Sequence, residues 1–292
     1  MEKRFVLRTN TFDCCEEILL TEDEFQQCKS SKDKLSTMFA IEEKFHIIVN
    51  NYIDFEKSVL NISLLTEINR GGYYQEFYEF KSELNTKIIN ILTSIRLYMD
   101  SIETHVQEIL HDEKIKPLVK SYKSEEYDTK FQYRFMEAFR NYLQHSGTAV
   151  HRLSLKGSWN EDRTRRNQFI ELHAQKEFLD SKFKASILKE MPDEIDVKDC
   201  VRNYIDSVGI IHSKIRKLVL SEIDAARENL ENMHTRYKQQ YDVNTVSLSV
   251  IYFENGEKHE EVPILLEWDD VRIKLQKKYI VPTHHSNVSI VS

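Results

Sequence analysis

Residues 77–109 have the sequence FYEFKSELNTKIINILTSIRLYMDSIETHVQEI, and this stretch determines the class of fold. Apolar side chains recur in it every three or four residues, the spacing that places them on one face of an α-helix. They are Phe77, Phe80, Leu84, Ile88, Ile91, Ile95, Tyr98, Ile102, Val106 and Ile109. The series continues for about nine helical turns without a glycine or proline. Such a long apolar stripe predicts a helix that packs into a helical core.

Helical periodicity also extends over two other long segments. Thr21 and Glu24 have the spacing of a capping box, which opens a helix. Apolar residues then continue at helical spacing over residues 35–60, where we expect one break in the helix. A third long helix is predicted over residues 201–233 from the same period. Three long amphipathic segments indicate a mainly α protein.

A shorter amphipathic helix is predicted over residues 128–145, after a linker at Lys116-Pro117. Gly147 follows it and favours a helix end, because glycine adopts left-handed backbone angles without strain. The chain of 292 residues has only 6 Gly and 4 Pro, so helix breakers are rare throughout. The composition therefore also favours a mainly α fold.

Small β-hairpins are predicted beside the helices. Apolar residues on both sides of the polar turn at residues 160–162 indicate a hairpin within residues 149–180. Alternating residues before Asn255-Gly256, a pair typical of type I′ turns, indicate a second hairpin. We therefore expect a helical bundle over residues 1–240 with a hairpin insertion. Residues 241–292 are expected to add a β-hairpin, a short helix and a flexible tail.

Charge and cysteine content limit the classes of function. A formal net charge of −7 argues against a general coat for nucleic acid, but it allows a local basic site. The four cysteines have neither CxxC spacing nor a nearby set of histidines: they are Cys14, Cys15, Cys28 and Cys200. We therefore expect no metal site, no cofactor and no disulfide framework, and a cytoplasmic protein. No apolar run approaches membrane-spanning length, so no membrane association is expected.

The candidate catalytic residues lie at the end of the helix predicted over residues 128–145. Arg140 supplies a permanent planar charge, Asn141 an orienting hydrogen bond, and His145 a proton that moves near neutral pH. Asn141 and His145 share a helix face, and the long side chain of Arg140 reaches the same region. Glu137, one turn earlier, is placed to orient Arg140 or Asn141. Three such groups around one phosphate are the minimal equipment for RNA cleavage without a metal.

The spacing of arginine and histidine does not by itself identify a site. Three Arg–His pairs with this spacing occur, against about 1.7 expected by chance. Arg166 and His173 fall in the predicted hairpin, where an odd separation places side chains on opposite faces. Arg227 and His234 share a helix face beside glutamates, which favours a solvated charged stripe. For the first pair, the alternative interpretation is that cations near a helix C-terminus compensate the helix dipole.

Residues 133–147, YRFMEAFRNYLQHSG, resemble the signature helix of HEPN-domain proteins. Residues 84–100, LNTKIINILTSIRLYMD, resemble an earlier helix of that family. The order of elements is also similar: a long helix pair, a shorter helix that ends in the arginine–histidine motif, and another long helix. The resemblance extends over residues 30–235 and implies an antiparallel helical bundle of HEPN type.

The resemblance also implies an activity and partners. Many HEPN domains are metal-independent endoribonucleases, in which Arg140 and His145 would be the catalytic pair and Asn141 the polar residue between them. HEPN domains commonly dimerise so that two motifs face each other, which implies a homodimer. A role as a toxin or antiviral effector is implied too, with an antitoxin or regulatory protein as partner. The chain departs from one pattern, because toxins paired with a nucleotidyltransferase antitoxin often carry a tyrosine in place of Gly147.

A basic segment in the predicted hairpin is the candidate RNA-binding surface. Its cations outnumber its acidic residues in a protein that is acidic overall, and its tryptophan could stack on an unpaired base. The candidate residues are Arg152, Lys156, Trp159, Arg163, Arg165 and Arg166. The alternative interpretation is a solvated hairpin tip with Trp159 in the core.

Two classes of function follow from these patterns. The first is an endoribonuclease that cleaves RNA by attack of the 2′-hydroxyl, with histidine moving the proton. The alternative is a non-catalytic helical module that binds a partner protein, or one that binds a nucleotide and holds its phosphate without cutting. The endoribonuclease is expected to cleave RNA in the presence of EDTA, whereas the non-catalytic modules are not.

Overall fold

The computed structural model describes residues 2–9, 16–69, 74–145, 147–179, 182–241, 247–279 and 285–287. In these residues it contains seven α-helices and two small antiparallel sheets, which confirms the prediction of a mainly α protein with β-hairpins. Within the same ranges, every helix is either too short or too polar to cross a membrane.

The elements are numbered in chain order. The helices are α1 (Glu22–Asn69), α2 (Tyr74–Leu110), α3 (Ile115–Thr129), α4 (Phe131–His145), α5 (Ala185–Glu190), α6 (Val197–Tyr241) and α7 (Glu267–Lys278). The strands are β1 (Lys3–Thr9), β2 (Glu17–Leu20), β3 (Arg152–Trp159), β4 (Arg166–Gln175), β5 (Glu194–Asp196), β6 (Leu248–Glu254) and β7 (Glu257–Pro263). The longest helices are α1, α2 and α6, with 48, 37 and 45 residues.

The apolar stripe of α2 is buried along most of its length. All stripe residues between positions 84 and 109 are buried, whereas Phe77 and Phe80 are half-buried. Full burial of a leucine or isoleucine side chain contributes about 2 kcal/mol. The stripe therefore makes α2 a core helix, as its spacing predicts.

Helix α1 is continuous over its 48 residues, so the break expected within residues 35–60 is wrong. The helix contains neither glycine nor proline, and its apolar residues Leu35, Ile41 and Phe55 are buried along its length. The capping box at its start is confirmed in both directions. The backbone N–H of Thr21 donates to Glu24 Oε2 at 2.8 Å, and the backbone N–H of Glu24 donates to Thr21 Oγ1 at 3.1 Å.

The linker predicted at Lys116-Pro117 is also wrong, because both residues lie in the first turn of α3. Proline is tolerated there, since the first four N–H groups of a helix have no acceptor within the helix. Helix α4 begins at Phe131 rather than at residue 128 and ends at His145, as predicted. Gly147 does not have the left-handed backbone angles expected of it, so that part of the prediction is wrong.

One compact unit comprises Met1–Glu43, Ile102–Pro117 and Ile215–Ile280. Its four-stranded sheet has the order β2-β1-β6-β7, and all pairs are antiparallel. The turn between β6 and β7 has φ of 51° at Asn255 and 86° at Gly256, as a type I′ turn requires. The predicted C-terminal hairpin is therefore confirmed, and α7 is the short helix expected after it.

The second compact unit comprises Lys44–Ser101, Leu118–Lys214 and Val281–Ser292. Its three-stranded sheet has the order β3-β4-β5, which confirms the hairpin predicted within residues 149–180. In the tail, residues 285–287 form a short 3₁₀ turn, whose backbone donates hydrogen bonds to Asp206. The other residues of the predicted tail lie outside the described ranges, and the division of the chain at residue 240 stays a prediction.

Candidate functional site

The aromatic face of α4 holds the candidate catalytic helix in place. Phe135, Phe139 and Tyr142 are buried. Each packs against Phe183, with ring centroids 5.8, 6.4 and 5.8 Å apart. The polar residues at the end of α4 therefore project from a helix whose opposite side is fixed by aromatic packing.

The three candidate catalytic residues are only partly brought together. Arg140 is half-buried, and its Nη2 donates to Asn141 Oδ1 at 2.6 Å. Its Nε is buried and has no hydrogen-bond partner within the described residues. Asn141 and His145 are exposed, and His145 lines an open cleft, whereas Arg140 and Asn141 are outside the described lining of that cleft. The gathering of all three around one phosphate stays a prediction.

Glu137 has a different partner from the residues that it was expected to orient. Its carboxylate accepts a hydrogen bond from the hydroxyl of Tyr204 on α6. Burial of Tyr204 raises the pKa of its hydroxyl well above the ordinary value, and the charge of Glu137 adds to this shift. The hydroxyl therefore stays protonated and keeps donating to Glu137.

The cleft beside His145 has a volume of about 790 Å³. Its walls come from the end of α4, from the connection at residues 147–151, from Lys81 of α2 and from Phe178. Three nitrogen-bearing side chains line it, namely Lys81, His145 and His151. The cleft can therefore offer several hydrogen-bond donors to one anionic ligand.

The connection at residues 147–151 is attached to α2 by hydrogen bonds. The side-chain oxygen of Asn85 accepts from the backbone N–H groups of Ala149 and Val150, at 2.7 and 2.9 Å. Lys81 Nζ donates to the backbone oxygen of His151 at 3.0 Å. One turn of α2 thus fixes the chain that runs from the end of α4 into β3.

Gly147 is required by close packing against Tyr142. A Cβ atom at this position would lie 2.2 Å from Cε1 of the buried Tyr142 ring. The Tyr142 hydroxyl is held in turn by the backbone oxygen of Phe178, to which it donates at 2.9 Å. The ring has little freedom to move aside, so the absence of a tyrosine at position 147 has a steric reason.

His151 has a defined hydrogen-bonding state in the cleft wall. The backbone N–H of Gln175 donates to its Nδ1 at 2.8 Å, and Phe178 packs edge-on against the ring at 5.4 Å. Burial lowers the pKa of His151, and the Lys81 ammonium lowers it further, against smaller backbone contributions. The N–H of Gln175 itself favours the neutral ring, because it needs an unprotonated Nδ1 as its acceptor. The ring is therefore neutral at neutral pH.

Two of the candidate RNA-binding cations are already paired with acidic side chains. Arg152 Nη2 lies 2.7 Å from Glu194 Oε1, and Lys156 Nζ lies 2.8 Å from Glu171 Oε2. A cation that is already paired contributes less binding free energy to a phosphate contact, because its ion pair with the carboxylate must first break. These two residues are the weaker candidates for RNA contact.

The cations at the tip of the same hairpin are more accessible to a ligand than the two paired cations. Arg163, Arg165 and Arg166 are exposed, and in the part of the chain that the structure describes no ion pair engages them. Trp159 is 60% exposed, so the alternative interpretation that places it in the core is wrong. The basic tip and the open indole ring are thus both accessible to a ligand.

A second cleft, of about 630 Å³, lies between the hairpin and the facing helices α1 and α2. Trp159, Lys156 and Arg166 line it together with Phe77 and Phe80. Two glutamates also line it, at positions 67 and 76, so its charge is mixed. Its aromatic and cationic side chains suit stacked bases and their phosphates.

The two competing Arg–His pairs are engaged in structural contacts. Arg227 is only 18% exposed and forms ion pairs with Asp269 and Asp270, at 2.8 and 2.9 Å. His234 Nε2 lies 2.7 Å from the backbone oxygen of Ile264. The predicted solvated stripe is wrong, because the acids of α7 draw Arg227 into a half-buried ion-pair network.

The Arg166–His173 pair is spread along β4. His173 lies across from Arg152 in the β3–β4 register, at the opposite end of the hairpin from Arg166. Its Nε2 contacts Glu171 Oε2 at 3.0 Å. This pair therefore cannot act on one phosphate.

The described cysteines have the character of core residues. Cys28 and Cys200 are buried and free. Burial raises the pKa of Cys28 to about 11 and that of Cys200 well above its ordinary value, so neither thiol is a thiolate at neutral pH. Cys14 and Cys15 lie outside the described residues. Across the described ranges, no group of three or more His, Cys, Asp or Glu side chains could hold a metal ion.

Sequence patterns did not single out Lys81 and His151 as site residues. They are 70 positions apart in the sequence, and a hydrogen bond from Lys81 to the backbone of His151 brings them together. The one local signal is that His151 follows His145 by six positions in the sequence.

Comparison of the chain with protein-family models, with curated proteins and with solved structures gave no match.

The Gly147→Ala variant is expected to lose about 1–3 kcal/mol of unfolding free energy, because the added methyl group overlaps the fixed Tyr142 ring. Urea denaturation followed by circular dichroism measures this loss. Gly157→Ala is the control: its Cβ would lie 2.7 Å from Nε of Arg166, an exposed and flexible side chain that can move. Equal stability of wild type and Gly147→Ala would contradict the packing argument.

Proposed function

We propose that this protein is a metal-independent endoribonuclease of HEPN type. The observation that supports this best is the exposed His145 on the wall of an open cleft, one turn after the hydrogen-bonded pair Arg140 and Asn141. The mainly helical fold and the aromatic packing that holds α4 are consistent with the proposal. RNA is the preferred substrate class because it carries its own nucleophile, the 2′-hydroxyl.

In the proposed reaction, His145 accepts the proton of the ribose 2′-hydroxyl, and the 2′-oxygen attacks the adjacent phosphorus. A bond forms between O2′ and phosphorus, and the bond between phosphorus and O5′ breaks. The departing O5′ takes up a proton, so the products are a 2′,3′-cyclic phosphate and a 5′-hydroxyl. Arg140, oriented by Asn141, stabilises the extra negative charge on the five-coordinate phosphate. Its side chain must swing toward the cleft to do so.

A homodimer is part of the proposal, because one histidine cannot readily serve both proton transfers from one side. A two-fold interface would bring two copies of Arg140, Asn141 and His145 to one composite cleft. The second His145 would then protonate the departing O5′. Sedimentation equilibrium is expected to give twice the chain mass of 34.8 kDa. If the protein is a monomer at every concentration tested, a second His145 cannot protonate O5′ and the dimeric mechanism is wrong.

The proposed biological role is that of a cytoplasmic toxin or antiviral effector. RNA cleavage inside a cell must be controlled, which implies an antitoxin or another regulatory protein as partner. Gly147 occupies the position at which toxins paired with a nucleotidyltransferase antitoxin often carry a tyrosine. Because a side chain there would displace Tyr142, we do not assign the pairing with a nucleotidyltransferase antitoxin that a tyrosine at this position would suggest.

A second candidate function is a nucleotide-binding domain that holds a phosphate without cutting it. Arg140 and Asn141 lie outside the described lining of the cleft, which favours this candidate. An arginine outside the cleft stabilises the negative charge of a transition state there less than one that lines it. It predicts that nucleotides raise the melting temperature of the protein and that no RNA product forms. The endoribonuclease predicts RNA products in EDTA and their loss in Arg140→Ala.

The His145→Ala variant is expected to retain its fold and to cleave RNA at least about 100-fold more slowly, because general acid–base catalysis contributes that much or more. Cleavage of a labelled single-stranded RNA in EDTA measures the rate, and thermal unfolding checks the fold. Gln144→Ala is the matched control, since Gln144 is the exposed neighbour on the same helical turn. Equal cleavage rates for wild type and His145→Ala would rule out the catalytic assignment.

Replacing Arg163, Arg165 and Arg166 with glutamine is expected to weaken RNA binding and to flatten its salt dependence. If each arginine neutralises one phosphate of a single strand, the slope of log K against log salt concentration falls by about 2. Fluorescence anisotropy with a labelled RNA measures the slope.

The control for this variant removes three positive charges elsewhere. Lys274, Lys277 and Lys278 are exposed residues of α7, and their replacement with glutamine changes the net charge by the same amount. A slope that changes equally in both triple variants would indicate a general charge effect and would remove the hairpin tip from the RNA-binding surface.

A further inference from the structure

The cleft that His145 lines has two further polar side chains in its wall. Lys81 comes from α2 and His151 from the connection between α4 and β3, and both line the same cavity as His145. All three side chains belong to one compact unit of one chain.

His151 is held as a hydrogen-bond donor. Its Nδ1 accepts the backbone N–H of Gln175, so in the neutral ring the proton must be on Nε2. A proton on Nδ1 would place two donors against each other. The backbone of His151 is fixed as well, because its N–H donates to the backbone oxygen of His173 at 2.9 Å. His151 therefore serves poorly as a general base and well as a positioned donor.

Lys81 adds a positive charge beside this donor. It is half-buried, and one of its three N–H bonds is directed to the backbone oxygen of His151. Within the described residues no carboxylate pairs with its ammonium group. A half-buried cation with spare donors in an open cleft favours an anionic ligand.

We propose that Lys81 and His151 form a phosphate-binding subsite that holds a phosphodiester of single-stranded nucleic acid in the cleft of His145. Lys81 supplies the charge, and His151 supplies a directed hydrogen bond from Nε2. The assignment to the RNA strand that is cut rests on the proposed endoribonuclease function. Phosphate binding by the subsite does not depend on cleavage and can be measured separately.

The donor geometry of the subsite and its affinity for phosphate can be measured separately. Its donor geometry depends on the tautomer of His151, which long-range proton–nitrogen NMR correlation spectra report at neutral pH. The expected spectrum shows the proton on Nε2. A proton on Nδ1, or a doubly protonated ring, would overturn the donor assignment.

Binding is tested with a short single-stranded oligodeoxyribonucleotide, which has phosphodiesters but no 2′-hydroxyl and cannot be cut by the proposed reaction. Lys81→Gln and His151→Ala are each expected to weaken its binding by about tenfold, the loss typical of one charged hydrogen bond. His151→Gln retains a donor near the position of Nε2 and should recover part of that affinity. Melting temperatures of both His151 variants are compared, so that a difference in their affinity reports the donor rather than a loss of fold.

Lys120→Gln is the control for Lys81→Gln, since Lys120 is exposed on α3 and does not line the cleft. Each variant is first checked for its fold by melting temperature. Affinity of Lys81→Gln equal to that of Lys120→Gln would overturn the subsite, even if the wild type cleaves RNA. Inorganic phosphate is the second probe, and binding of phosphate without binding of the oligonucleotide would overturn the assignment to a nucleic-acid strand.

Failure of the proposed function gives a different result. In that case the wild type would produce no RNA fragments, while the Lys81 and His151 variants would still lose affinity for the oligonucleotide. The subsite would then stand as a binding site without cleavage.

Discussion

The buried ring of Tyr142 is the contact on which the candidate site depends. It packs against Phe183 with the rest of the aromatic face of α4, and its hydroxyl is hydrogen-bonded to the backbone of Phe178 in the cleft wall. It also lies so close to Gly147 that the chain must leave the helix there without a side chain. One residue therefore connects the packing of α4, the end of that helix and the position of His145 beside the cleft.

Hydrogen bonds to α2 complete the arrangement. Asn85 and Lys81 fix the connection that follows α4, and this connection carries His151 into the wall of the cleft that His145 also lines. Ala149 and Val150 of this connection are buried, and the hydrogen bonds from Asn85 fix the backbone N–H groups of the same two residues. The directed bonds from one turn of a core helix thus make this connection a fixed part of the cleft wall.

The helices could be predicted from sequence wherever a periodic pattern controls the structure. The stripe of α2, the capping box at Thr21 and the turn at Asn255-Gly256 are local signals, and each is present. The incorrect linker prediction has a local cause too, because Pro117 is compatible with a first helical turn and does not break the helix there. The cleft could not be predicted, since Lys81 and His151 meet through a backbone hydrogen bond between distant segments that leaves no pattern in the sequence.

We propose that this cleft supports attack of a ribose 2′-hydroxyl on its own phosphodiester. The most direct measurement is the chemical identity of the new RNA ends, determined by mass spectrometry after digestion of a defined oligoribonucleotide in EDTA. Our account predicts a 2′,3′-cyclic phosphate on one fragment and a 5′-hydroxyl on the other. Fragments that end in a 3′-hydroxyl and a 5′-phosphate would contradict it, because they require water rather than the ribose as the nucleophile.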